Sequence, residues 1–192
     1  MAFKDLVKKN RSYRLFDMSK PITKEQLLDF IDTTRFAPAS VNIQPIVYKI
    51  SCTPEMNAKI RPYTFWAKML KDYSGPDPEH DPTAYIAICT DKSLAPNAER
   101  FDRDIGIVAQ TIMLSAVEAG FGGCMIGNFK KAEISEIMGI NDDYDLRLVL
   151  ALGAPAEEII LEELEKGQDY RYYRDENNVH HVPKRKLEDI II

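Results

Sequence analysis

The chain has 192 residues, 45% hydrophobic and 29% charged, with 25 Lys and Arg against 30 Asp and Glu for a formal net charge of -5. At roughly 150 residues per domain this is one domain with a sizeable core, and the composition excludes a disordered tail protein or a fibrous repeat. The acidic balance excludes general electrostatic binding of nucleic acid, while local basic clusters stay free to bind small anions.

Met1 to Lys9 is a charged amphipathic stretch without an uninterrupted apolar run; it reads as a first helix, and not as a signal peptide. A second helix starts at Thr23, with Gln26 at the reciprocal capping position. Its apolar positions are Leu27, Leu28, Ile31 and Phe36, and Pro38 ends it. A loop from Ala37 to Pro45 leads to a β-branched strand, Ile46 to Cys52, and Thr53-Pro54-Glu55 opens a short helix. The prolines between Ser74 and Pro82 are too dense for regular structure. Tyr85 to Cys89 is nearly continuous in its apolar character and predicts a strand at the sheet centre.

A long helix follows, from about Ala98 to Ala119, apolar on nearly every face and expected to be buried all round. Its longest apolar stretch, Ile105 to Gly120, contains Gln110, Ser115 and Glu118 and is shorter than the roughly 20 residues that cross a bilayer. No membrane span is expected. Gly106, Ala109, Ala116 and Gly120 are spaced to let another helix approach closely, either across a subunit interface or within one core. Then come a short strand or turn at Gly122 to Gly127, a helix over Ala132 to Met138, and a strand from Leu146 to Ala151 closed by Gly153 and Pro155. Glu157 to Glu165 reads as an acidic helix. The last segment, with Tyr170, Tyr172, Tyr173 and the basic run Lys184-Arg185-Lys186, has no core of its own, and lying across a partner subunit would bury its aromatics.

Several chemistries are missing. Gly120 to Met125 fails the dinucleotide fingerprint, since Met125 takes the sixth position and a helix precedes it. There is no phosphate loop, no metal-ligand spacing is present, and His180 and His181 would point to opposite sides of an extended chain. Asp77, Glu79, His80 and Asp81 read as a solvated loop or a cation site. Cys52, Cys89 and Cys124 are an odd, scattered set, as expected of reduced thiols in a cytoplasmic protein. Cys124 has no flanking base to activate it and reads as a buried structural thiol.

The informative residues are distributed. Arg11, Ser12 and Arg14 offer two cations and a hydroxyl suited to a phosphate. Lys184 and Lys186, at strand spacing, put both ammonium groups on one face and could complete the same anion site. Pro38-Ala39-Ser40-Val41-Asn42-Ile43-Gln44-Pro45 is a proline-limited loop rich in amide and hydroxyl groups, able to hydrogen-bond a flat heterocycle.

In order and spacing, Asn10-Arg11-Ser12-Tyr13-Arg14 with Phe16, Ala37 to Pro45, Gly120 to Phe129, Leu148 to Pro155 and Lys184-Arg185-Lys186 resemble the nitroreductase family of FMN-dependent oxidoreductases. The resemblance spans nearly the whole chain. It implies an α+β fold with a central, largely antiparallel sheet flanked by helices. One domain, 1–192, would form an intertwined homodimer, with C-terminal segments from about 166 to 192 exchanged around the partner and FMN at the interface.

Carried over by position, Arg11, Ser12 and Arg14 with Lys184 and Lys186 would hold the FMN phosphate. Pro38, Ala39, Ser40 and Asn42 would contact the flavin from the other subunit, and the backbone of Ile126, Gly127 and Asn128 would line its ring, with an amide near Gly127 facing flavin N5. Many relatives begin the phosphate motif with a further Arg where this chain has Asn10. The region from Pro62 to Pro82 matches no covering segment; Tyr63, Phe65, Trp66 and Lys68 are candidates for the substrate pocket, with burial in the core the favoured role for Trp66. The implied activity is hydride transfer from NADH or NADPH through flavin N5 to an electron-poor small molecule such as a nitroaromatic, quinone, flavin or enone, with no catalytic side chain and no metal. The alternative is a flavin-binding or partner-binding protein on the same fold without turnover.

Overall fold

The structure, a computed structural model, describes residues 1–70 and 73–192. In chain order it contains α1 (Phe3–Lys9), β1 (Phe16–Asp17), α2 (Lys24–Asp32), β2 (Ile46–Ser51), α3 (Pro54–Ile60), β3 (Ala84–Asp91), α4 (Asp102–Glu118), β4 (Gly122–Ile126), α5 (Lys131–Met138), β5 (Tyr144–Pro155), β6 (Ile159–Leu164), β7 (Tyr173–Arg174) and β8 (His180–Arg185).

Side-chain alternation along β3 decides the architecture. Ala84, Ile86 and Ile88 enter one apolar cluster, and Tyr85, Ala87 and Cys89 enter another on the opposite face. β5 divides the same way, Leu150 and Leu152 on one side, Val149 and Ala151 on the other. α2 and α4 cover the first face through Leu27, Phe30, Ile105 and Ile112; α3 and α5 cover the second through Ile60, Ile134 and Met138. A strand buried on both faces needs the continuous apolar run seen in the sequence. The main sheet runs β1-β5-β3-β2, with β4 also paired to β5, and every pairing is antiparallel.

Local chemistry sets the helix starts. The Thr23 hydroxyl accepts from the Gln26 amide while the Gln26 side chain accepts from the Thr23 amide, the reciprocal cap that the sequence predicts. At α3 the Thr53 hydroxyl accepts from the Met56 amide, with Pro54 at the first helical position.

Three expectations are corrected. The second helix ends at Asp32 and continues as a 3-10 turn, Thr33–Phe36, because the Thr33 and Thr34 hydroxyls donate to the Phe30 and Ile31 carbonyls and tighten the chain. Phe36 thereby leaves the buried stripe and is 80% exposed.

α4 is buried along one stripe and not all round. Ala109 and Ala116 face the sheet, whereas Gly106 lies on the outer face with open space where a Cβ would be. The small residues therefore do not share one side. Finally, the acidic stretch after Glu157 is strand β6 and not a helix: Ile159 to Leu164 pair in parallel with His180 to Arg185 of β8, and β7 adds antiparallel on the far side of β8. This second sheet gives the tail buried residues, Leu164 and His180, that the sequence did not suggest.

Candidate functional site: a buried cation cluster and two loops

The segment after α1 is held by β4. Ser12 bridges Gly123, and the Tyr13 amide donates to the Gly123 carbonyl at 2.9 Å. Only glycine fits there, since a Cβ on Gly123 would sit 2.3 Å from the Ala151 carbonyl oxygen. This clamp turns Arg14 inward, 6% exposed. Its guanidinium donates to the Ser12 carbonyl at 3.1 Å, meets His180 Nε2 at 3.2 Å and lies 5.1 Å from the Tyr172 ring centre. Arg11 donates to the Val7 carbonyl at 3.0 Å.

Glu157, just beyond β5, ties this segment to the tail. Its side chain is 2% exposed and accepts from the Arg14 amide, from the Leu15 amide at 3.2 Å and from Arg174 Nη2 at 2.6 Å. Arg174 lies 5.0 Å from the centre of the Tyr73 ring, and the Tyr73 hydroxyl donates to the Arg14 carbonyl at 3.1 Å. Burial pushes the Tyr73 hydroxyl far above the usual phenol range, so it remains a neutral donor.

Burial foremost, and then Arg14 and Arg174, push His180 down to about 4. The ring is therefore neutral at pH 7. A guanidinium can only donate, so Nε2 accepts from Arg14 and the ring proton sits on Nδ1.

That tautomer matters because Nδ1 has no partner. Among the described residues, six buried side-chain nitrogen or oxygen atoms lack one; four of them are Arg11 Nε, Arg14 Nε, Arg174 Nε and His180 Nδ1. All four are N–H donors. Arg14 and Arg174 meet at Glu157, which accepts from the Arg14 amide and the Arg174 guanidinium, so two guanidinium charges face one carboxylate and one positive charge is left over. Buried unpaired donors of one sign are costly without a ligand, and the ligand that satisfies these is an anion.

The second element of the site is the loop before β2. The Ser40 amide and hydroxyl donate to Asp104 of α4 at 2.8 and 2.6 Å, so Ser40 anchors the loop. Beyond that anchor Val41, Asn42 and Gln44 take positive φ values of 46°, 55° and 54°. For a β-branched residue such as Val41 this is strained backbone, the kind held in place at ligand sites. Gln44 donates to the Asn42 side chain at 3.1 Å. Pro38, Ala39 and Asn42, with Arg35, Tyr48 and Asp104, line a cavity of about 190 Å³.

The third element follows β4. Ile126 is buried, and at Gly127 a Cβ would meet nothing within 4 Å. The Asn128 carbonyl accepts from the Phe65 amide at 3.0 Å, Thr64 bridges Phe129, and the Lys130 amide donates to the Tyr63 carbonyl. The region without a sequence match thus lies against the Gly127 loop. Phe65 is exposed beside it, while Trp66 is buried and donates to the Thr64 hydroxyl.

The structure joins Arg11, Ser12 and Arg14, but within one chain it does not bring the other predicted residues to them. Pro38 to Asn42 precede β2 at one sheet edge, and Ser12 pairs with β4 at the other, four strand spacings or roughly 19 Å away. Lys184 and Lys186 lie four and six residues past His180, roughly 13 and 20 Å farther along extended chain. Lys184 is exposed, and Lys186 pairs with Glu165 at 2.5 Å.

Sequence reasoning missed Glu157, Arg174, Tyr73 and Asp104 as site residues. Asp104 had a signal, a carboxylate inside an otherwise apolar helix. His180 and His181 do face opposite ways, His181 toward Glu162 and Asp175. Cys124 is buried, and burial pushes its thiol up. Asp81 is bonded to Arg61 and His80 to Asp77. Among the described residues no group of three His, Cys, Asp or Glu side chains could hold a metal ion, and no helix is long and apolar enough to cross a membrane.

The family model described as "Nitroreductase family" matches residues 7–154. The protein YdgI of Bacillus subtilis (strain 168), provisionally named an NAD(P)H nitroreductase, is 26% identical over 187 residues, covering 81% of this chain and 90% of its own. A nitroreductase family protein from Streptococcus pneumoniae TIGR4 superposes with a TM-score of 0.71 at 19% identity, covering 100% of this chain and 99% of its own. A protein from Exiguobacterium sibiricum 255-15, solved in complex with FMN, superposes with a TM-score of 0.64 at 24% identity, covering 82% of this chain and 90% of its own.

Proposed function

The chain belongs to the nitroreductase family, and from that premise we propose that it is an FMN-dependent oxidoreductase that takes hydride from NADH or NADPH and passes it to an electron-poor small molecule. One observation carries the reading: three unpartnered buried N–H donors, on Arg14, Arg174 and His180, lie together with a surplus positive charge beside Ser12, a set that fits a phosphate group. The relatives support it by name and content, YdgI as an NAD(P)H nitroreductase and the Exiguobacterium protein by its FMN.

In this reading Arg11, Ser12 and Arg14 hold the FMN phosphate, joined by Arg174 and His180. FMN, when bound, supplies two-electron transfer between a nicotinamide and an acceptor. The open Cα face of Gly127 lets a planar ring approach the backbone after β4, and a backbone amide there donates without titrating. Phe65 borders this loop and narrows access to it. Pro38, Ala39, Ser40 and Asn42 come from a second copy of the chain, because within one chain they occupy the far sheet edge. Lys184 and Lys186, past His180 on the same tail, would come to the phosphate from the second copy of the chain. The acceptor class is a nitroaromatic, quinone, flavin or enone, and the setting is the cytoplasm.

The test is the visible absorbance of the FMN-loaded protein under anaerobic conditions as NADH or NADPH is added. Bleaching of the flavin bands is expected. Bands that persist with both nucleotides would reduce the protein to a flavin binder.

A further inference from the structure

The two histidines that open β8 have opposite surroundings. His180 meets Arg14, whereas His181, on the other face of the second sheet, meets a carboxylate at each ring nitrogen. Its Nδ1 lies 2.6 Å from Glu162 Oε1 of β6, and its Nε2 lies 3.3 Å from Asp175 Oδ2 in the turn between β7 and β8. The Tyr173 ring of β7 stacks on the imidazole, centres 4.8 Å apart and planes 5° from parallel, and the Tyr173 hydroxyl donates to Glu162 at 3.2 Å.

The charged groups that act on the ring are thus both carboxylates, and Tyr173 is its third titratable neighbour. Loss of solvent foremost, and then the Glu162 charge, push the Tyr173 hydroxyl up, so it stays a neutral donor. Arg174 points the other way, to Glu157. Asp175 also accepts from the Asn177 and Val179 amides at 3.0 and 2.8 Å, which fixes it within the turn.

A neutral imidazole has one N–H, so it donates to one carboxylate and turns a lone pair on the other. The imidazolium donates to both, and each bond is charge-assisted. The geometry therefore selects the protonated ring. In keeping with it, the Glu162 bond foremost raises the titration of His181 above the ordinary histidine value.

We propose that His181 is a proton-operated latch on the second sheet: its imidazolium ties β6 to the β7–β8 turn, and loss of one proton releases a tie and loosens the hairpin that presents Arg174 and His180 to Arg14. The four side chains involved lie between residues 162 and 181, so the latch is internal to the tail and stands whether or not a flavin binds. Its effect on FMN rests on the phosphate reading above. Because the folded value lies above the unfolded one of about 6.5, the latch is fully closed below that pH and opens as pH rises through the folded value.

The experiment uses the flavin-free full chain from about pH 5 to 9. Histidine Cε1–H resonances, assigned with His80→Asn, His180→Asn and His181→Gln, are followed by NMR. Amide-exchange protection factors of residues 173–185, which divide out the intrinsic effect of pH, are followed beside those of β3. His181 is expected to titrate above about 6.5, and protection of 173–185 to fall about two- to fivefold as it does, the size of an ion pair near the surface, with β3 unchanged. In His181→Gln that protection should be flat with pH. Glu162→Gln and Asp175→Asn, which keep an acceptor oxygen, should each bring the titration down. Titration of His181 at or below the unfolded value, or an equal fall of protection in His181→Gln, would overturn the proposal. FMN affinity should weaken over the same interval in the unmodified chain and not in His181→Gln. An affinity that ignores pH while protection falls would overturn the link to the cation cluster and leave the latch standing.

Discussion

Arg14, the proposed phosphate ligand, is held rigid on every side. Its backbone amide is held by Glu157, its carbonyl by Tyr73, its head by Ser12 and His180, and its planar face by Tyr172. Little side-chain entropy is left to lose on binding. Arg14→Ala should therefore weaken FMN binding by about 1.5–3 kcal/mol, the range for hydrogen bonds to charged groups, measured by quenching of flavin fluorescence; unchanged affinity would remove Arg14 from the site. His180 predicts a pH effect. Its pKa is about 4 in the folded chain, against about 6.5 in an unfolded one. The unfolded chain thus binds more protons between these values. The stabilisation from keeping this imidazole neutral is complete above pH 6.5 and is lost as pH falls toward 4. Melting temperatures across this window should drop, and His180→Asn should flatten the part of the drop that His180 contributes.

At the scale of elements, the strained loop depends on one contact between a loop and a helix. Asp104→Ala leaves the Ser40 amide and hydroxyl without their acceptor and should cost about 1–3 kcal/mol in urea unfolding, together with a loss of FMN affinity if the loop serves the flavin. A stable variant with wild-type affinity would show that the loop holds itself. Thr23→Ala, which removes the α2 cap far from the site, should cost about 0.5–2 kcal/mol and leave flavin affinity unchanged.

These two positions also mark what the sequence makes legible. The Thr23 cap, the doubly buried strand β3 and the Arg11, Ser12, Arg14 cluster are written in residues close together in the chain. β6 is not. Its glutamates favour a helix locally, and only pairing with β8, some twenty residues later, makes it a strand. The same distance hides Glu157, Arg174 and His180, which acquire their roles when the second sheet folds back on Arg14.

At the scale of the molecule, one chain carries the two proposed half-sites on opposite edges of a sheet buried on both faces. The cation cluster and Gly127 lie by β4, and the strained loop lies by β2. In the proposed reading a flavin draws its two half-sites from two chains, with two flavins per pair. Sedimentation of the FMN-loaded protein should give twice the chain mass of 21.9 kDa; a monomer that holds FMN tightly would contradict this assembly. The measurement that most directly tests the cation cluster as a phosphate site is titration of the flavin-free protein with FMN and with riboflavin, which lacks the phosphate. Two or more charge-assisted hydrogen bonds predict that FMN binds at least about 100-fold more tightly, with one FMN per chain. Equal affinity for the two flavins would contradict it.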